Sequence, residues 1–237
     1  LYSKIYQTDF IKVEFLDDLS VDIDSLLQTI QKSTSIVFLP NPNLPVESYL
    51  ERDEVIMLLD RCSECGAACV IDEAYNMFGG LSSVDLLDKY DNLIILRSFS
   101  KAFGLAGIRL GYVISQPDNI EYLSKTRSLV EACQPTMAIA SYLLDNVHIV
   151  DDYIKQTQVG SKYIQDMFTK LDVRWFGGDY SNGILFFLND ENEVSDLVHV
   201  MNESNIYIRG GFVGQYSRCA RITTGPIAYF RYFEFSL

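Results

Sequence analysis

The chain has little positive charge and no long hydrophobic run. Its 237 residues include 19 lysines and arginines against 32 aspartates and glutamates, a net charge of −13. Binding to nucleic acid phosphates requires a basic surface, so a nucleic acid partner is excluded. No apolar run approaches the roughly 20 residues that span a bilayer, and no signal-peptide pattern opens the chain, so we expect no membrane partner.

Cysteine and histidine are also scarce, with five cysteines and two histidines. The odd cysteine count without a leader is typical of a reducing compartment, so we expect a cytoplasmic protein. Cys62 and Cys65 form one C-x2-C pair, but a structural zinc site needs four ligands and no second pair follows at a suitable spacing. We therefore expect free thiols and no metal site.

Short apolar runs alternate with helical patterns in the first half of the chain. The runs that predict strands are 35–40, 68–75, 92–99 and 108–115, with helices expected over 47–62 and near 83–90. Continuous Val/Ile/Leu strands separated by helices are typical of an α/β fold, a mostly parallel sheet with helices on both faces.

The second half has a different pattern, which predicts a smaller α+β domain. A long amphipathic helix is expected from about 150 to 171, then a strand at 184–188, a helix at 192–204 and strands at 206–210 and 219–224. We place the boundary in or beside the long helix. The predicted domains are residues 1–150 and 151–237.

Polar residues follow the second and third predicted strands. Asp72 and Tyr75 close the second strand, and Ser98, Ser100 and Lys101 close the third. Ligands of open parallel sheets bind beyond the carboxyl ends of the strands. Asp72 alone could cap a helix and Tyr75 alone could pack in the core, but their convergence with the third strand predicts a functional site.

The stretch "SFSKAFGLAGIRLGY", residues 98–112, brings Lys101 and Arg109 together in a largely uncharged, glycine-punctuated segment. A solvated surface lysine needs no such setting. The pattern favours a partly desolvated lysine beside a site for a bound anion.

This stretch and "DEAY" at 72–75 resemble the signature of the fold-type I aminotransferases, which use pyridoxal phosphate. The likeness is greatest to the histidinol-phosphate aminotransferase branch and includes "VFLPNPNLP" and "RITTG". The resemblance implies the large domain of that fold followed by a small domain. It also implies a homodimer with its site between subunits.

The resemblance assigns a role to each residue at the predicted sheet edge. Lys101 matches the lysine whose amine condenses with the cofactor aldehyde and later serves as general base. Asp72 matches the carboxylate beside the pyridine nitrogen, and Tyr75 matches the phenol that hydrogen-bonds the 3′-oxygen. Ser98, Ser100 and Arg109 match the group that holds the cofactor phosphate, with the arginine as a bidentate clamp.

Three residues of the second half match substrate-binding positions of the family. Arg221 matches the arginine that binds the substrate α-carboxylate, and Arg209 matches an arginine that contacts the substrate phosphate in the histidinol-phosphate branch. Asn182 could face the same site, although an Asn-Gly pair is often only a turn.

Two departures from the family pattern stand out. Leu44 occupies the position of an asparagine that hydrogen-bonds the 3′-oxygen, and Val46 and Glu47 replace the usual threonine and glycine. The chain also opens on "LYSKIYQTDF", without a methionine, so we expect that roughly a hundred residues of a typical family member precede this point.

The resemblance implies a transaminase that moves an amino group between a phosphorylated amino compound and a 2-oxo acid such as 2-oxoglutarate. Two alternatives remain open from the sequence. One is a pyridoxal-phosphate-dependent decarboxylase of a phospho-amino acid. The other is a non-catalytic truncated homologue that acts as a binding or assembly subunit, which Leu44 favours and the intact set around Lys101 disfavours.

Overall fold

A computed structural model of the chain describes residues 2–128 and 131–230. Its helices are α1 (Tyr2–Ile5), α2 (Ile23–Thr29), α3 (Arg52–Cys65), α4 (Pro117–Ser124), α5 (Gln134–Asp145), α6 (Val147–Lys170) and α7 (Glu191–Glu203). Its strands are β1 (Ile36–Pro40), β2 (Ala68–Asp72), β3 (Leu93–Ser98), β4 (Gly111–Ser115), β5 (Trp175–Gly177), β6 (Gly183–Phe187) and β7 (Cys219–Thr223).

The first four strands form one sheet in the order β1-β2-β3-β4. The pairs β1–β2 and β2–β3 are parallel, and β4 runs antiparallel to β3. The predicted mostly parallel α/β sheet is therefore confirmed. Because the first three strands point the same way, their carboxyl ends meet at one edge, as the polar residues after them had indicated.

Helix α3 covers one face of this sheet because its apolar residues recur at helical spacing. It begins with a capping box between Glu51 and Glu54, and it ends at Gly66, whose φ of 74° suits glycine. Its buried stripe is Val55, Leu58, Leu59 and Cys62, which packs on the buried strand residues Cys69, Ile71, Leu93 and Ile95. Burying each large side chain stabilises the fold by about 1.5–3 kcal/mol.

The other face of the sheet is less covered within the described residues. Ile36 is 62% exposed and Phe38 is 57% exposed, and both belong to β1. Val70 and Ile94, on the neighbouring strands, are half-buried on the same face. Asp72 lies at the carboxyl end of this face, so the predicted site borders its apolar row.

The last three strands form a separate antiparallel sheet in the order β5-β6-β7. One face packs on α6 and α7 through a cluster that includes Ile164, Phe168 and Val194. The predicted strand at 206–210 is reduced to a single bridge between Arg209 and Arg221. Before the bridge, the Ile206 N–H donates to the Met201 carbonyl of α7 at 2.8 Å and is not available to β7. After it, Gly211 adopts a φ of 72°, outside the extended region.

Two helices differ from the sequence expectation. The helix expected over 47–62 begins only at Arg52, because the capping box forms at Glu51 and the preceding residues belong to a loop. The helix expected near 83–90 is a single 3-10 turn at Val84–Leu86. Only Leu86 of that turn is buried, so little apolar surface supports a longer helix.

Helix α6 has 24 residues and contacts both halves of the molecule. Val150 and Ile154, near its start, pack with Phe78 and Ala102. Residues nearer its end pack in the cluster under the second sheet. The division at residue 150 falls inside this helix and stays a prediction.

The cysteines, all within the described residues, are free thiols, with Cys62 and Cys65 on α3 and Cys69 on β2. None of the helices within 2–128 and 131–230 combines the length and hydrophobicity needed to cross a membrane.

Candidate active site

Asp72 and Ser98 lie on one face of the first sheet, at the carboxyl ends of β2 and β3. Asp72 is in register with Leu96, and Ser98 follows two residues later on the same strand, so the two side chains share a face. Gly111 of β4 pairs with Ser98. A Cβ at Gly111 would lie 2.8 Å from the Arg97 carbonyl oxygen, so this close pairing requires glycine.

The Asp72 carboxylate is half-buried and only partly satisfied. Its Oδ1 accepts a hydrogen bond from the Ala74 N–H at 3.0 Å, and Oδ2 accepts none from the described residues. Burial raises the pKa of Asp72, while the Ala74 N–H and the charge of Lys101 act in the opposite direction. Lys101 lies near this strand end, because its amine contacts the ring of Tyr75, three residues after Asp72.

Lys101 projects over the ring of Tyr75, with Nζ 4.7 Å from the ring centroid. This cation–π contact is its one polar contact among the described residues, since its amine forms no hydrogen bond or ion pair there. The Tyr75 hydroxyl likewise has no hydrogen-bond partner in the described chain. The amine and the phenol are therefore both available to a ligand.

Ser98 and Ser100 supply hydroxyl groups beside Lys101. The Ser98 Oγ accepts a hydrogen bond from the Ser100 N–H at 3.0 Å, which leaves its own O–H free to donate. Arg109 is on the following loop, with a φ of 53°, and its Nη1 donates to the Ala106 carbonyl at 2.9 Å. The backbone returns from there to the site, because the Phe99 N–H donates to the Leu110 carbonyl at 3.1 Å.

Arg209 and Arg221 lie directly opposite each other in an antiparallel bridge, and each donates its N–H to the other's carbonyl, at 2.9 and 2.7 Å. Directly opposed residues point to the same face, so both arginine side chains start from one face of the second sheet. The described residues contain no ion-pair partner for either guanidinium. Both guanidinium groups can therefore accept an anionic partner.

The Arg221 side chain lies flat against Gly183. A Cβ at Gly183 would be 2.6 Å from Arg221 Nε, so only glycine leaves room for the guanidinium. That Nε is buried and has no hydrogen-bond partner among the described residues. A buried unpaired donor is costly, which is a further indication of a ligand position.

Asn182 is 8% exposed and directly precedes Gly183. Its carbonyl accepts a hydrogen bond from the Thr224 N–H at 2.8 Å, which joins it to the end of β7. Its side-chain amide has no partner in the described part of the chain. The role expected for this amide at the site stays a prediction.

The loop after β1 contains the departures noted in the sequence. Leu44 is half-buried and provides no hydrogen-bonding group. The neighbouring Asn41 does not substitute for it, because its amide donates to the Leu50 carbonyl at 3.2 Å and accepts from the Leu50 N–H at 2.8 Å. Val46 and Glu47 are both buried, and sequence reasoning treated them only as departures.

Comparisons with known proteins identify the family. The family model for aminotransferase class I and II matches residues 2–233. A histidinol-phosphate aminotransferase of Thermoanaerobacter pseudethanolicus is 40% identical over 129 residues, which cover 54% of this chain and 36% of that protein. The chain spans 36% of the length of that relative and 64% of a histidinol-phosphate aminotransferase of Bacteroides fragilis, which is 29% identical over 226 residues.

Solved structures share the fold. The histidinol-phosphate aminotransferase from Sinorhizobium meliloti, solved in complex with pyridoxal-5′-phosphate, superposes with a TM-score of 0.88 at 24% identity, over 98% of this chain and 64% of that one. An L-threonine-O-3-phosphate decarboxylase from Porphyromonas gingivalis superposes with a TM-score of 0.73 at 24% identity, over 85% of this chain and 63% of that one. With the family model matched over almost its whole length, the chain belongs to the class I and II aminotransferase family.

Proposed function

We propose that the protein is a pyridoxal-phosphate-dependent aminotransferase that moves an amino group between a phosphorylated amino compound and a 2-oxo acid such as 2-oxoglutarate. The observation that carries the proposal is the set of unpaired polar groups at one sheet edge, above all Asp72 and Lys101. The name of the 40% identical relative supports the phosphorylated substrate.

The donor set fits the cofactor. Asp72 has a free carboxylate oxygen for a protonated ring nitrogen, and Tyr75 has a free hydroxyl for a ring oxygen. Ser98, Ser100 and Arg109 provide hydroxyl and guanidinium donors for a phosphate. Leu44 is the one position of the loop after β1 where the expected hydrogen bond to the ring oxygen is missing, so Tyr75 would hold that oxygen without an asparagine.

When bound, pyridoxal phosphate supplies an aldehyde that takes up amines and a ring that withdraws electrons from the substrate α-carbon. Asp72 would hold the proton on the ring nitrogen, and that ion pair would offset the burial that raises the pKa of its carboxyl group. Lys101 removes and returns the proton at the α-carbon as the general base. Its amine is free to do so because no acidic side chain of the described residues pairs with it.

Arg221 and Arg209 bind the anionic ends of the substrates. Arg221, fixed against Gly183, binds a carboxylate, and the exposed Arg209 beside it binds a phosphate. Neither guanidinium has an ion-pair partner among the described residues, so each can form charge-assisted hydrogen bonds to an anion. A homodimer, which the family resemblance implies, is also part of the proposal.

The test is cofactor binding by the purified wild-type protein and two variants. Wild-type protein should give a visible absorbance band with added pyridoxal phosphate, and borohydride should abolish the band while fixing the label to the chain. Lys101→Ala should lose the band and the label and should lower transaminase activity by at least roughly a hundredfold. Its fold should be intact, because Lys101 makes few contacts.

Lys89→Ala is the matched control, since the Lys89 amine also lies over a tyrosine ring, 4.6 Å from the centroid of Tyr90. This variant should keep the band. Labelling of Lys101→Ala to the wild-type extent would overturn the assignment of the lysine. Release of carbon dioxide without glutamate formation from 2-oxoglutarate would replace the transaminase with the decarboxylase, and absence of any cofactor binding would favour the non-catalytic alternative.

A further inference from the structure

The loop after β1 holds a buried carboxylate that the proposed reaction does not use. Glu47 is 6% exposed, yet its partners lie more than a hundred residues away along the chain, in the turn between β5 and β6. Its Oε1 accepts hydrogen bonds from the Asp179 N–H at 2.9 Å and the Tyr180 N–H at 3.0 Å. Its Oε2 accepts one from the Ser181 hydroxyl.

The segment that Glu47 binds, residues 179–182, is here termed the hairpin turn. Its position is supported by a second contact with the same loop, because the rings of Tyr49 and Tyr180 stack with centroids 4.4 Å apart and planes at 9°. Gly177 makes the approach of Glu47 possible: a Cβ there would lie 2.9 Å from the Glu47 Cβ. Residues of both the loop after β1 and the β5–β6 hairpin therefore contribute to this contact.

Hydrogen bonds and packing connect Glu47 to the two halves of the candidate site. On one side, the Ser181 Oγ that donates to Glu47 accepts from the Gly183 N–H at 3.0 Å, and Gly183 is the surface against which Arg221 lies. On the other side, the loop of Glu47 begins at Asn41, whose N–H donates to the Asp72 carbonyl at 2.9 Å.

We propose that Glu47 is a positioning residue that fastens the hairpin turn to the loop after β1 and thereby sets Arg221 at the right distance from Lys101. The proposal rests on the proposed function. One carboxylate collects three donors, two of them backbone N–H groups, and therefore fixes backbone as well as side chain. Without it the three donors lose their acceptor, and the turn shifts to reach water.

Two substitutions of Glu47 distinguish the loss of its hydrogen bonds from the loss of its negative charge. Glu47→Ala removes every acceptor. Glu47→Gln keeps a carbonyl oxygen for the two backbone N–H groups, and its amide can donate to the Ser181 hydroxyl. Glu193→Ala is the matched control, because Glu193 also accepts a backbone N–H, from Asn189 at 3.0 Å, in the same half of the molecule.

The kinetic test compares substrate and cofactor binding in these variants. Glu47→Ala should raise the KM for 2-oxoglutarate at least about tenfold, while the cofactor Kd changes by less than about threefold, because the cofactor residues lie on β2, β3 and the segments that directly follow them. Glu47→Gln should restore KM to within about threefold of wild type, and Glu193→Ala should leave both unchanged. An unchanged KM in Glu47→Ala, or equal losses in substrate and cofactor binding, would overturn the positioning role.

A second readout does not depend on activity. Amide hydrogen exchange at residues 179 and 180 should accelerate in Glu47→Ala and stay slow in Glu47→Gln and Glu193→Ala. Unchanged exchange in Glu47→Ala would show that the carboxylate does not hold the turn and would overturn the proposal. Wild-type protein that binds no cofactor would instead overturn the proposed function, and the positioning role with it, even where exchange shows the contact itself.

Discussion

Asp72 and Glu73 are adjacent in the sequence and have opposite surroundings. Glu73 is 2% exposed, and its carboxylate accepts from the Ser83 N–H at 2.6 Å, the Ser82 hydroxyl at 3.1 Å and Arg97 Nη2 at 2.8 Å. Asp72 accepts one hydrogen bond from the described residues. The Glu73 carboxylate is thus fully hydrogen-bonded within the protein, whereas Asp72 keeps an oxygen available to a ligand.

At one edge of the sheet, structural contacts and candidate site residues therefore lie on opposite faces. Successive residues point to opposite faces, so Glu73 and Arg97 form their ion pair on one face while Asp72 and Ser98 emerge on the other. Each member of the ion pair directly adjoins a site residue along the chain. The ion pair therefore holds the ends of β2 and β3 together under the candidate site.

The largest expected change in stability comes from removing the hydrogen-bonded carboxylate of Glu73. Glu73→Ala leaves the Arg97 guanidinium without its carboxylate in a buried setting, so we expect the free energy of unfolding to fall by about 3 kcal/mol. Urea unfolding measures this. Glu121→Ala, at an exposed position of α4, is the control and should stay within about 0.5 kcal/mol of wild type. A loss below about 1 kcal/mol for Glu73→Ala would contradict the structural role.

Arg209 and Arg221, at the second sheet, test the substrate-binding part of the candidate site. Arg209→Ala should reduce kcat/KM for histidinol phosphate roughly 30-fold, or about 2 kcal/mol, with little effect on histidinol, because a charge-assisted contact to phosphate is lost. Arg221→Ala should raise the KM for 2-oxoglutarate, which presents a carboxylate. Steady-state kinetics on these substrates provide the comparison. Equal losses for both histidinol compounds would make Arg209 a structural arginine.

Asp72→Asn should stabilise the cofactor-free protein at neutral pH. Burial raises the pKa of Asp72 above its unfolded value, so ionisation at higher pH opposes folding, and this penalty disappears below the unfolded pKa of about 3.9. The variant should therefore exceed wild-type stability at pH 7 and match it at about pH 3, below the unfolded pKa, while Oδ1 still accepts from Ala74. The cofactor Kd should rise at the same time.

Urea unfolding at the two pH values and a cofactor titration measure the Asp72 effect. A loss of stability at neutral pH would mean that Asp72, like Glu73, is part of the structural framework. In that case the contrast between the two carboxylates would fail.

The smallest expected effect is a difference in reactivity between a buried thiol and an exposed one. Burial raises the pKa of Cys219 to about 11, whereas hydrogen bonds from Thr136 lower the pKa of the exposed Cys133. Cys133 should therefore react with iodoacetamide well before Cys219 at neutral pH, with little loss of activity. Peptide mapping by mass spectrometry follows the order, and Cys133→Ser should remove the fast phase. Earlier labelling of Cys219 would contradict the burial of β7.

The sequence predicted the residues at the sheet edge because strand ends and a long lysine motif are local signals. Asp72, Ser98 and Lys101 are separated by one strand and its flanking turns, and parallel pairing of β2 and β3 brings them together. The buried stripe of α3 was predictable for the same reason. Local spacing determined which face it buries.

The contacts of Glu47 and Glu73 could not be predicted in this way. Glu47 binds a turn more than a hundred residues away, and nothing near it in the sequence indicates a partner. The strand predicted at 206–210 is a single bridge at Arg209 because the Ile206 N–H bonds to the end of α7, a contact that no local pattern indicates. Long-range hydrogen bonds and glycine backbone angles are set by the folded chain.

Helix α6 is the long element that packs against both halves of the molecule. Its 24 residues extend about 36 Å at 1.5 Å per residue. A tilt of about 5° at its first turn therefore displaces its far end by about 3 Å, the length of a whole hydrogen bond. A long helix alone leaves that much freedom between Arg221 and Lys101, and the proposed role of the Glu47 contact is to restrict it close to the site.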